Sequence, residues 1–487
     1  MDCQGNGWNL EHSYAKLPKM FYHNQKAAPV NNARMVVFNA PLAQRLGLSG
    51  LSGLSDKSGG RADVFTGNAL PPGAMPIAQA YAGYQFGHFA MLGDGRALLL
   101  GEQVAPDGRR FDIQLKGSGI TPFSRGGDGL AALGPMLREY IVSEAMFHLG
   151  VPTSRSLAVA LTGEDVIRER VLPGAVLTRV AASHIRVGTF NYAAAFGKIN
   201  DLRELADYTL KRHFPWLYDQ KDKYTLLLRE VAKLQADLIA KWQHIGFIHG
   251  VMNTDNMAIS GETIDYGPCA YMNAYDPATV FSSIDKNGRY AYENQPAIGA
   301  WNLARLAESL LPLFSDDNDE AVALAKAELD NYWERYNESW LAGMRAKLGI
   351  FNEEHDDALL ISRLMDLMAD HKLDYTNTFR ALSHEDSPLF ELGLGVDIVG
   401  WGERWRERIA RQHKEPPEIF ALMRRHNPAV IPRNHRVEEA LRAAEDGDLT
   451  VMDNLLAALR TPYDETEGYA VPPEPTAAHG YRTFCGT

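Results

Sequence analysis

Residues 247–268 read FIHGVMNTDNMAISGETIDYGP and place a His-Gly pair, an Asp-Asn pair and an Ile-Asp-Tyr-Gly turn within one short loop and hairpin. A hard cation is held against phosphate oxygens by carboxylate and amide oxygens, and a second carboxylate is needed beside a reacting hydroxyl group. Asn256 and Asp265 are therefore the candidate metal ligands, and Asp255 is the candidate catalytic residue that receives the proton.

The spacing of this stretch matches the catalytic loop of kinases with one exception. In kinases the loop reads His-Arg-Asp or His-Gly-Asp, then four residues, then Asn, and an Asp-Phe-Gly turn follows. His249, Gly250 and Asn256 are in register with this pattern, but Val251 stands at the position of the catalytic Asp. The missing base predicts chemistry different from ordinary phosphorylation, or none. Taken alone, the stretch also fits plain turns, because Asp and Asn side chains often cap local backbone groups.

Two elements earlier in the chain supply a candidate ion pair. The alternating residues 111–116, FDIQLK, predict a β-strand whose polar face ends in Lys116. A helix is predicted to begin at Gly134-Pro135, and on it Glu139 lies beside an apolar stripe. Because a half-buried carboxylate requires a cation, we expect Lys116 and Glu139 to pair as in a kinase N-lobe, where the Lys is held ready for nucleotide phosphates. A solvated Glu on a helix edge is the alternative.

Glycines and arginines supply candidate phosphate contacts. Gly93, Gly95 and Arg96 belong to a Gly-Asp-Gly-Arg sequence between apolar runs, and its Asp-Gly pair predicts a tight hairpin turn. Glycines let backbone N–H groups approach a phosphate. Arg179 and Arg186 lie where the chain is expected to pass between two lobes, and a guanidinium group can bind two phosphate oxygens. A plain hairpin and ordinary surface ion pairs are the alternatives.

The predicted elements indicate an α+β fold of the two-lobed protein-kinase type, with a small antiparallel-sheet N-lobe containing one key helix and a larger, mainly helical C-lobe. Helical spacing of leucines before and after the 247–268 stretch supports the helical C-lobe. The expected domains are an N-terminal extension over 1–75, the N-lobe over 76–184, the C-lobe over 185–420, and C-terminal helices with a tail over 421–487. Within the extension, the Ser/Gly-rich residues 49–60 are expected to form a mobile loop.

Composition limits the partners and the compartment. A net charge of −12 without a strongly basic block argues against nucleic-acid binding. No apolar run is long enough to cross a bilayer, and the first thirty residues lack a secretory or transit signal, so we expect a cytoplasmic protein with no membrane partner. Cys3, Cys269 and Cys485 are too few for a disulfide framework or a zinc site. We expect a monomer.

Several long motifs together resemble the selenoprotein O (YdiU) family of kinase-fold proteins. These motifs are GDGR, FDIQLKGSG, FSRGGDG, LREY, LTRVAASHIRVGTF, HGVMNTDNM and IDYGP, and they span residues 81–302. The resemblance implies a protein adenylyltransferase, an enzyme that transfers AMP from ATP to Ser, Thr or Tyr hydroxyl groups of other proteins. It also implies that ATP binds in a flipped orientation, so that its α-phosphate faces the acceptor.

The resemblance assigns roles residue by residue. It places the ATP contacts on Gly93, Gly95, Arg96, Lys116, Asp128, Gly129, Arg179, Arg186 and Asp265. It places the metal, Mg²⁺ or Mn²⁺, on Asn256 and Asp265, and the proton acceptor on Asp255. Some family members carry selenocysteine near the C-terminus, so Cys485 is a candidate redox residue with Cys269 as its candidate disulfide partner. A buried, inert thiol is the alternative for Cys269.

Three functional alternatives stay open at this point. The first is a conventional kinase that transfers the γ-phosphate, with Asp255 as a displaced base. The second is a scaffold that binds ATP without catalysis. The third is transfer of UMP, because the selectivity for a nucleobase depends on pocket shape that the sequence does not reveal.

Overall fold

A computed structural model describes residues 6–56, 59–391 and 396–474 of the chain. Its first part is built mainly of strands, with the bounds β1 (Leu10–Glu11), β2 (Tyr22–Asn24), β3 (Arg34–Phe38), α1 (Ala40–Arg45), α2 (Arg61–Thr66), β4 (Ile77–Gln79), β5 (Ala82–Gln85), β6 (His88–Met91), β7 (Ala97–Val104), β8 (Arg110–Lys116), α3 (Leu133–His148), β9 (Arg155–Ile167) and β10 (Val171–Ala181). The main sheet is antiparallel and runs in the order β2-β4-β7-β8-β10-β9-β3, with β1 paired to β7. Strands of the N-terminal extension thus belong to this sheet.

Strand β8 has the alternation that its sequence predicts. Ile113 and Leu115 pack with the apolar side chains of α1 and α2 on one face of the sheet. Because successive side chains of a strand point to opposite faces, Gln114 and Lys116 point to the other face, where α3 lies. Burial of both faces leaves Lys116 only 7% exposed. The strand therefore delivers an ammonium group to an interior position.

The second part of the described chain is mainly helical, with the bounds α4 (Val187–Phe196), α5 (Ile199–His213), α6 (Lys223–His244), β11 (Phe247–Ile248), β12 (Ala270–Tyr271), α7 (Gln295–Phe314), α8 (Asn318–Lys347), α9 (Asp357–Asp370), α10 (Tyr375–Leu382), α11 (Val396–Ala410), α12 (Pro416–His426), α13 (Asn434–Glu445) and α14 (Thr450–Arg460).

The C-terminal helices pack against helix α3. Val437, Leu455 and Leu459 of α13 and α14 pack on Leu137 and Ile141 of α3. The C-terminal helices thereby fix the helix that carries Glu139.

The helical lobe presents the 247–268 stretch from the end of α6. The apolar stripe of α6, including Leu227, Val231 and Leu238, is buried against the neighbouring helices, as its helical spacing predicts. Immediately after this helix, β11 pairs with β12 in a short antiparallel hairpin. The chain between these two strands carries Asp255, Asn256 and Asp265. The predicted two-lobed fold class is confirmed, whereas the proposed domain boundaries stay a prediction.

Two local predictions are wrong. The Gly93–Arg96 segment is not a hairpin turn, because β6 pairs with β5 in a separate two-stranded sheet and β7 belongs to the main sheet. The turn of that hairpin lies at Phe86-Gly87, where both residues have positive φ angles of 50° and 87°. The expected loop is also wrong for Ser49–Gly53, which form a 3₁₀ turn with Leu51 fully buried, whereas the mobility expected over 49–60 stays a prediction.

No helix in the described part of the chain combines the length and apolarity that a bilayer crossing would need.

Candidate active site

A cavity of about 390 Å³ lies between the sheet and the helical lobe. It is lined by all the predicted nucleotide, metal and catalytic residues: Gly93, Gly95, Arg96, Lys116, Asp128, Gly129, Arg179, Arg186, Asp255, Asn256 and Asp265. These residues come from segments far apart in the sequence, so their convergence is a property of the fold. Glu139 lies behind the lining and contacts it through ion pairs, and Cys485 lies outside the described residues.

Two cations and two carboxylates form a continuous cluster at the inner end of the cavity. Lys116 Nζ donates to Glu139 Oε2 at 2.8 Å and also contacts Asp265 Oδ1. Arg179 Nε donates to Glu139 Oε1 at 2.6 Å, and Arg179 Nη2 donates to Asp265 Oδ1 at 2.9 Å. The expected pairing of Lys116 with Glu139 is present, and Arg179 proves to be the second cation on the same carboxylate. The cluster joins the sheet, α3 and the Asp265 turn.

The cluster keeps both carboxylates ionised. Burial raises the pKa of Glu139, but Arg179 and Lys116 more than offset it and lower the pKa below its ordinary value. Burial also raises the pKa of Asp265, but the cations Lys116 and Arg179 outweigh burial and bring this pKa well below the ordinary range. Burial lowers the pKa of Arg179, and the two carboxylates raise it by more. The cavity floor therefore carries fixed charges rather than neutral acids.

Asp265 has an uncommon backbone conformation, with a φ of +65° that a side chain other than Gly rarely adopts. His249 supports the turn, because its Nε2 lies 3.0 Å from the carbonyl oxygen of the preceding residue Ile264. The main-chain amide of His249 is in turn held by Gln295 Oε1 at 2.9 Å. The His-Gly part of the motif thus contributes to positioning Asp265 by hydrogen bonding.

Asp255 lies in a buried position formed around a glycine. A Cβ atom added at Gly83 of β5 would lie 2.1 Å from Asp255 Oδ1, so no other residue type fits there without a shift. Asp255 Oδ1 is buried and has no hydrogen-bond partner. Burial raises the pKa of Asp255 from 3.8 to about 6, although the nearby Arg186 acts to lower it. A carboxylate with an uncompensated oxygen and a raised pKa is a stronger proton acceptor than an ordinary Asp.

Asn256 is oriented by the residue that replaces the kinase Asp. Its Nδ2 donates to the carbonyl oxygen of Val251 at 3.0 Å, and its Oδ1 is buried without a hydrogen-bond partner. Asn256 lines the same cavity as Asp265, and its unsatisfied amide oxygen fits a hard cation, since Mg²⁺ is commonly held by one or two protein oxygens and completed by water and substrate phosphates. Within the described residues no group of three or more His, Cys, Asp or Glu side chains could hold a metal. These residues fit a metal that binds together with a nucleotide.

Arg186 is held by Asp255 and by two residues that the sequence interpretation did not single out, Tyr81 and Asp94. Its guanidinium group lies 4.3 Å from the ring centroid of Tyr81 and 3.9 Å from Asp94 Oδ1, and Nη1 donates to the carbonyl oxygen of Asp255 at 3.0 Å. Asp94 also accepts from the Gln79 amide at 3.0 Å, and burial raises its pKa to about 6. Asp94 stands in the quoted Gly-Asp-Gly-Arg motif, so the signal was in the sequence but was assigned to a turn.

Asp128 is bound by another residue that the sequence interpretation missed. Arg168, at the tip of the β9–β10 hairpin, donates to both carboxylate oxygens of Asp128 at 2.7 and 3.1 Å and also lines the cavity. Hydrogen bonding by Arg168 lowers the pKa of Asp128. The sequence shows only a charged loop between two strands at this place, and nothing local indicates that the hairpin reaches the cavity.

Cys269 is buried, and burial raises the pKa of its thiol to about 12, as in an inert core cysteine. Its proposed disulfide partner Cys485 lies outside the described residues, so the redox link stays a prediction.

Comparison with known proteins places these residues in a family. A family model described as protein adenylyltransferase SelO matches residues 7–460. The chain belongs to the SelO family. Protein nucleotidyltransferase YdiU of Halalkalibacterium halodurans is 59% identical over 486 residues, which cover 99% of this chain and 98% of the relative. The proteins of the same name from Brevibacillus brevis and Alkaliphilus metalliredigens are 58% and 59% identical, again over 99% of this chain and 98% of the relative.

Membership of the SelO family confirms two predictions made from the sequence. The resemblance to selenoprotein O and YdiU proteins is correct, and the enzyme class, nucleotidyltransferase, is supported by the names of both the family and the relatives. The roles of individual residues in the reaction are not decided by these names.

Proposed function

We propose that this chain transfers AMP from ATP to Ser, Thr or Tyr hydroxyl groups of proteins and releases pyrophosphate. The observation that carries the proposal is the meeting of Lys116, Arg179, Asp255, Asn256 and Asp265 at one cavity. Cations for phosphate oxygens, oxygens for a metal and a separate carboxylate for a hydroxyl proton are the parts that phosphoryl or nucleotidyl transfer requires.

The cationic residues would bind and orient the triphosphate. Lys116 and Arg179 are held in place by Glu139 and Asp265 before any nucleotide enters, so little reorganisation is needed when phosphate oxygens arrive. Arg186 adds a buried guanidinium group, fixed by the ring of Tyr81. Preorganised charge in a cavity of low dielectric stabilises the negative charge that spreads over the phosphate oxygens during transfer.

Asp255 would act on the acceptor. Its unpaired Oδ1 accepts a hydrogen bond from the incoming hydroxyl group and then its proton, while the hydroxyl oxygen forms a bond to the α-phosphorus. The bond from the α-phosphorus to the bridging oxygen breaks, and pyrophosphate leaves with the electron pair. Because the pKa of Asp255 is about 6, the carboxylate is ionised at neutral pH and still accepts a proton more readily than an ordinary Asp.

Asn256 and Asp265 would hold the divalent cation, Mg²⁺ or Mn²⁺. When bound, such an ion neutralises charge on the phosphate oxygens and helps to orient the triphosphate. The amide oxygen of Asn256 is directed to this task because its nitrogen is committed to the carbonyl of Val251.

Intact-mass analysis of the purified protein after incubation with ATP and metal tests the proposal. The expected result is a gain of one AMP per modified site, with label from α-labelled but not γ-labelled ATP. Asp255→Asn and Asp265→Ala are expected to abolish the transfer and to leave folded proteins. Label from the γ-phosphate would favour a kinase instead, and thermal stabilisation by ATP without any product would favour a non-catalytic scaffold. Parallel incubation with UTP decides between AMP and UMP.

A further inference from the structure

A surface beside the Asp255 end of the cavity has no part in the reaction as described so far. We call it the rim surface and define it by four residues, Phe86, Ile284, Arg289 and Trp301. Phe86 and Ile284 line the cavity, and Ile284 is 57% exposed. Arg289 and Trp301 lie just outside the cavity lining and are half-buried. The rim surface thus continues the active site outward to solvent.

The rim surface is attached to the loop that carries Asp255. Asn253 Oδ1 accepts from the Phe86 amide at 3.1 Å and from the Tyr290 hydroxyl at 2.5 Å. The rings of Phe86 and Tyr290 lie 5.1 Å apart between centroids. Since Asn253 precedes Asp255 by two residues, a molecule bound on the rim surface would be held at a fixed offset from the proposed proton acceptor.

Arg289 is the charged group of this surface. Its guanidinium carbon lies 4.7 Å from the ring centroid of Trp301, and its Nε is buried without a hydrogen-bond partner. The main-chain amides of Arg289 and Tyr290 donate to the Asp285 carboxylate at 2.9 and 2.8 Å, which fixes the turn. Among the residues that the structure describes, the side chain of Arg289 contacts Trp301 and Tyr290 and forms no ion pair with a carboxylate. The side chain is therefore positioned but lacks an acidic partner.

Arg305 gives the contrast on the same aromatic ring. Its guanidinium carbon lies 4.9 Å from the Trp301 ring centroid, but the group pairs with Glu308 at 2.5 Å. Lys116, Arg168 and Arg179 of the cavity are likewise paired with carboxylates. The chain has a net charge of −12, yet Arg289 lies beside the active site without a paired carboxylate. Its positive charge is therefore complementary to an acidic group on a partner molecule.

We propose that the rim surface docks the acceptor protein, with Arg289 binding an acidic side chain that flanks the acceptor hydroxyl group. This inference rests on the proposed function and specifies its substrate class. The aliphatic and aromatic side chains of Ile284 and Phe86 contact the chain of the acceptor segment between its acidic residue and its hydroxyl group. Arg289 acts on the acceptor and not on ATP because it lies outside the lining of the nucleotide cavity. A guanidinium group braced by a ring binds a carboxylate through two parallel hydrogen bonds.

Synthetic serine peptides test the docking surface. The peptides are identical except that Glu, Gln or Lys occupies each position around the serine in turn, and AMP transfer from α-labelled ATP is measured with full-length protein. We expect wild type to modify the best Glu peptide about tenfold faster than its Lys counterpart, since a charge-assisted pair contributes about 1.5 kcal/mol. Arg289→Gln is expected to remove this preference and Arg289→Glu to reverse it. Arg305→Gln, the matched control, is expected to keep it, and the KM for ATP is expected to stay unchanged throughout.

Several outcomes would overturn the docking proposal. One is an equal Glu preference in wild type and Arg289→Gln. A raised KM for ATP in Arg289→Gln would assign this arginine to the nucleotide instead. Label on a protein mixture but on no peptide would exclude docking through a short acidic segment. If Arg289→Glu fails to fold, as judged by thermal melting, Arg289→Gln carries the test. Absence of label from peptides and proteins alike would refute the proposed function itself, which separates the two failures.

Discussion

Replacing Asp255 with Asn is expected to stabilise the folded protein while it stops nucleotide transfer. Burial raises the pKa of this carboxylate from 3.8 to about 6. Each pKa unit corresponds to about 1.4 kcal/mol, so the ionised side chain costs about 3 kcal/mol of folding free energy at pH 8. Asn has nearly the same shape and no charge to bury. At about 2.1 cal/mol/K per residue, the unfolding entropy of 487 residues is about 1 kcal/mol/K, and the melting temperature should rise by about 3 °C.

The stability gained by Asp255→Asn is expected to depend on pH. A raised carboxyl pKa penalises the folded state above pH 6, and the penalty fades as the pH falls towards 3.8, where the unfolded chain is protonated as well. The gain from Asp255→Asn is therefore expected to fall by about half at pH 5. Scanning calorimetry at pH 8 and pH 5 measures it, with the exposed Asp219→Asn as control. No gain at pH 8, or the same gain at both pH values, would refute the reasoning that Asp255 is buried without sufficient compensation.

Three further predictions concern groups around the cavity. Gly83→Ala is expected to lower AMP transfer at least tenfold by displacing the carboxylate of Asp255, the proposed proton acceptor. Gly53→Ala, where an added Cβ meets nothing within 4 Å, should leave the rate unchanged, and equal rates in the two variants would contradict the packing argument. Glu139→Gln should reduce the free energy of unfolding by about 3–5 kcal/mol, since it leaves two buried cations short of a partner, and urea denaturation showing less than about 1 kcal/mol would contradict this. Arg168→Ala and Asp128→Ala should each raise the KM for ATP, and their double mutant should raise it by less than the product of the two effects; full additivity would exclude a joint role for the pair.

The ion pair of Lys116 and Glu139 could be predicted from the sequence because each partner is placed by a local period. Alternation along β8 puts Lys116 on one face of the sheet, and the apolar stripe of α3 puts Glu139 on the buried side of the helix. Only the adjacency of the two elements had to be assumed. Arg179 was predicted as a phosphate contact, but its bonds to Glu139 and Asp265 depend on the pairing of β10 with β8, which no local pattern reveals.

The wrong hairpin at Gly93–Arg96 shows the limit of turn signals. An Asp-Gly pair satisfies the backbone requirements of a tight turn, but so does Phe86-Gly87, where Phe86 adopts a positive φ that its residue type does not suggest. What decides between them is tertiary. The Asp94 carboxylate is buried and accepts hydrogen bonds from the main-chain amide of Gln79 and from the side-chain amide of Gln114. The segment therefore crosses between two sheets rather than reversing within one. Asp94 was therefore missed as a partner of Arg186.

Val251 explains how the loop loses the kinase base yet retains a residue suited to the metal. The group that orients Asn256 is the main-chain carbonyl of Val251, which any residue would offer, so the amide oxygen of Asn256 does not depend on an Asp at that position. The replacement of Asp by Val at this position removes only the usual proton acceptor. Asp255 can take over that proposed role because β5 approaches the loop. The amides of Tyr84 and Phe86 donate to Thr254 Oγ1 at 2.9 Å and to Asn253 Oδ1 at 3.1 Å. Anchored in this way, two adjacent residues can serve the metal and the acceptor separately.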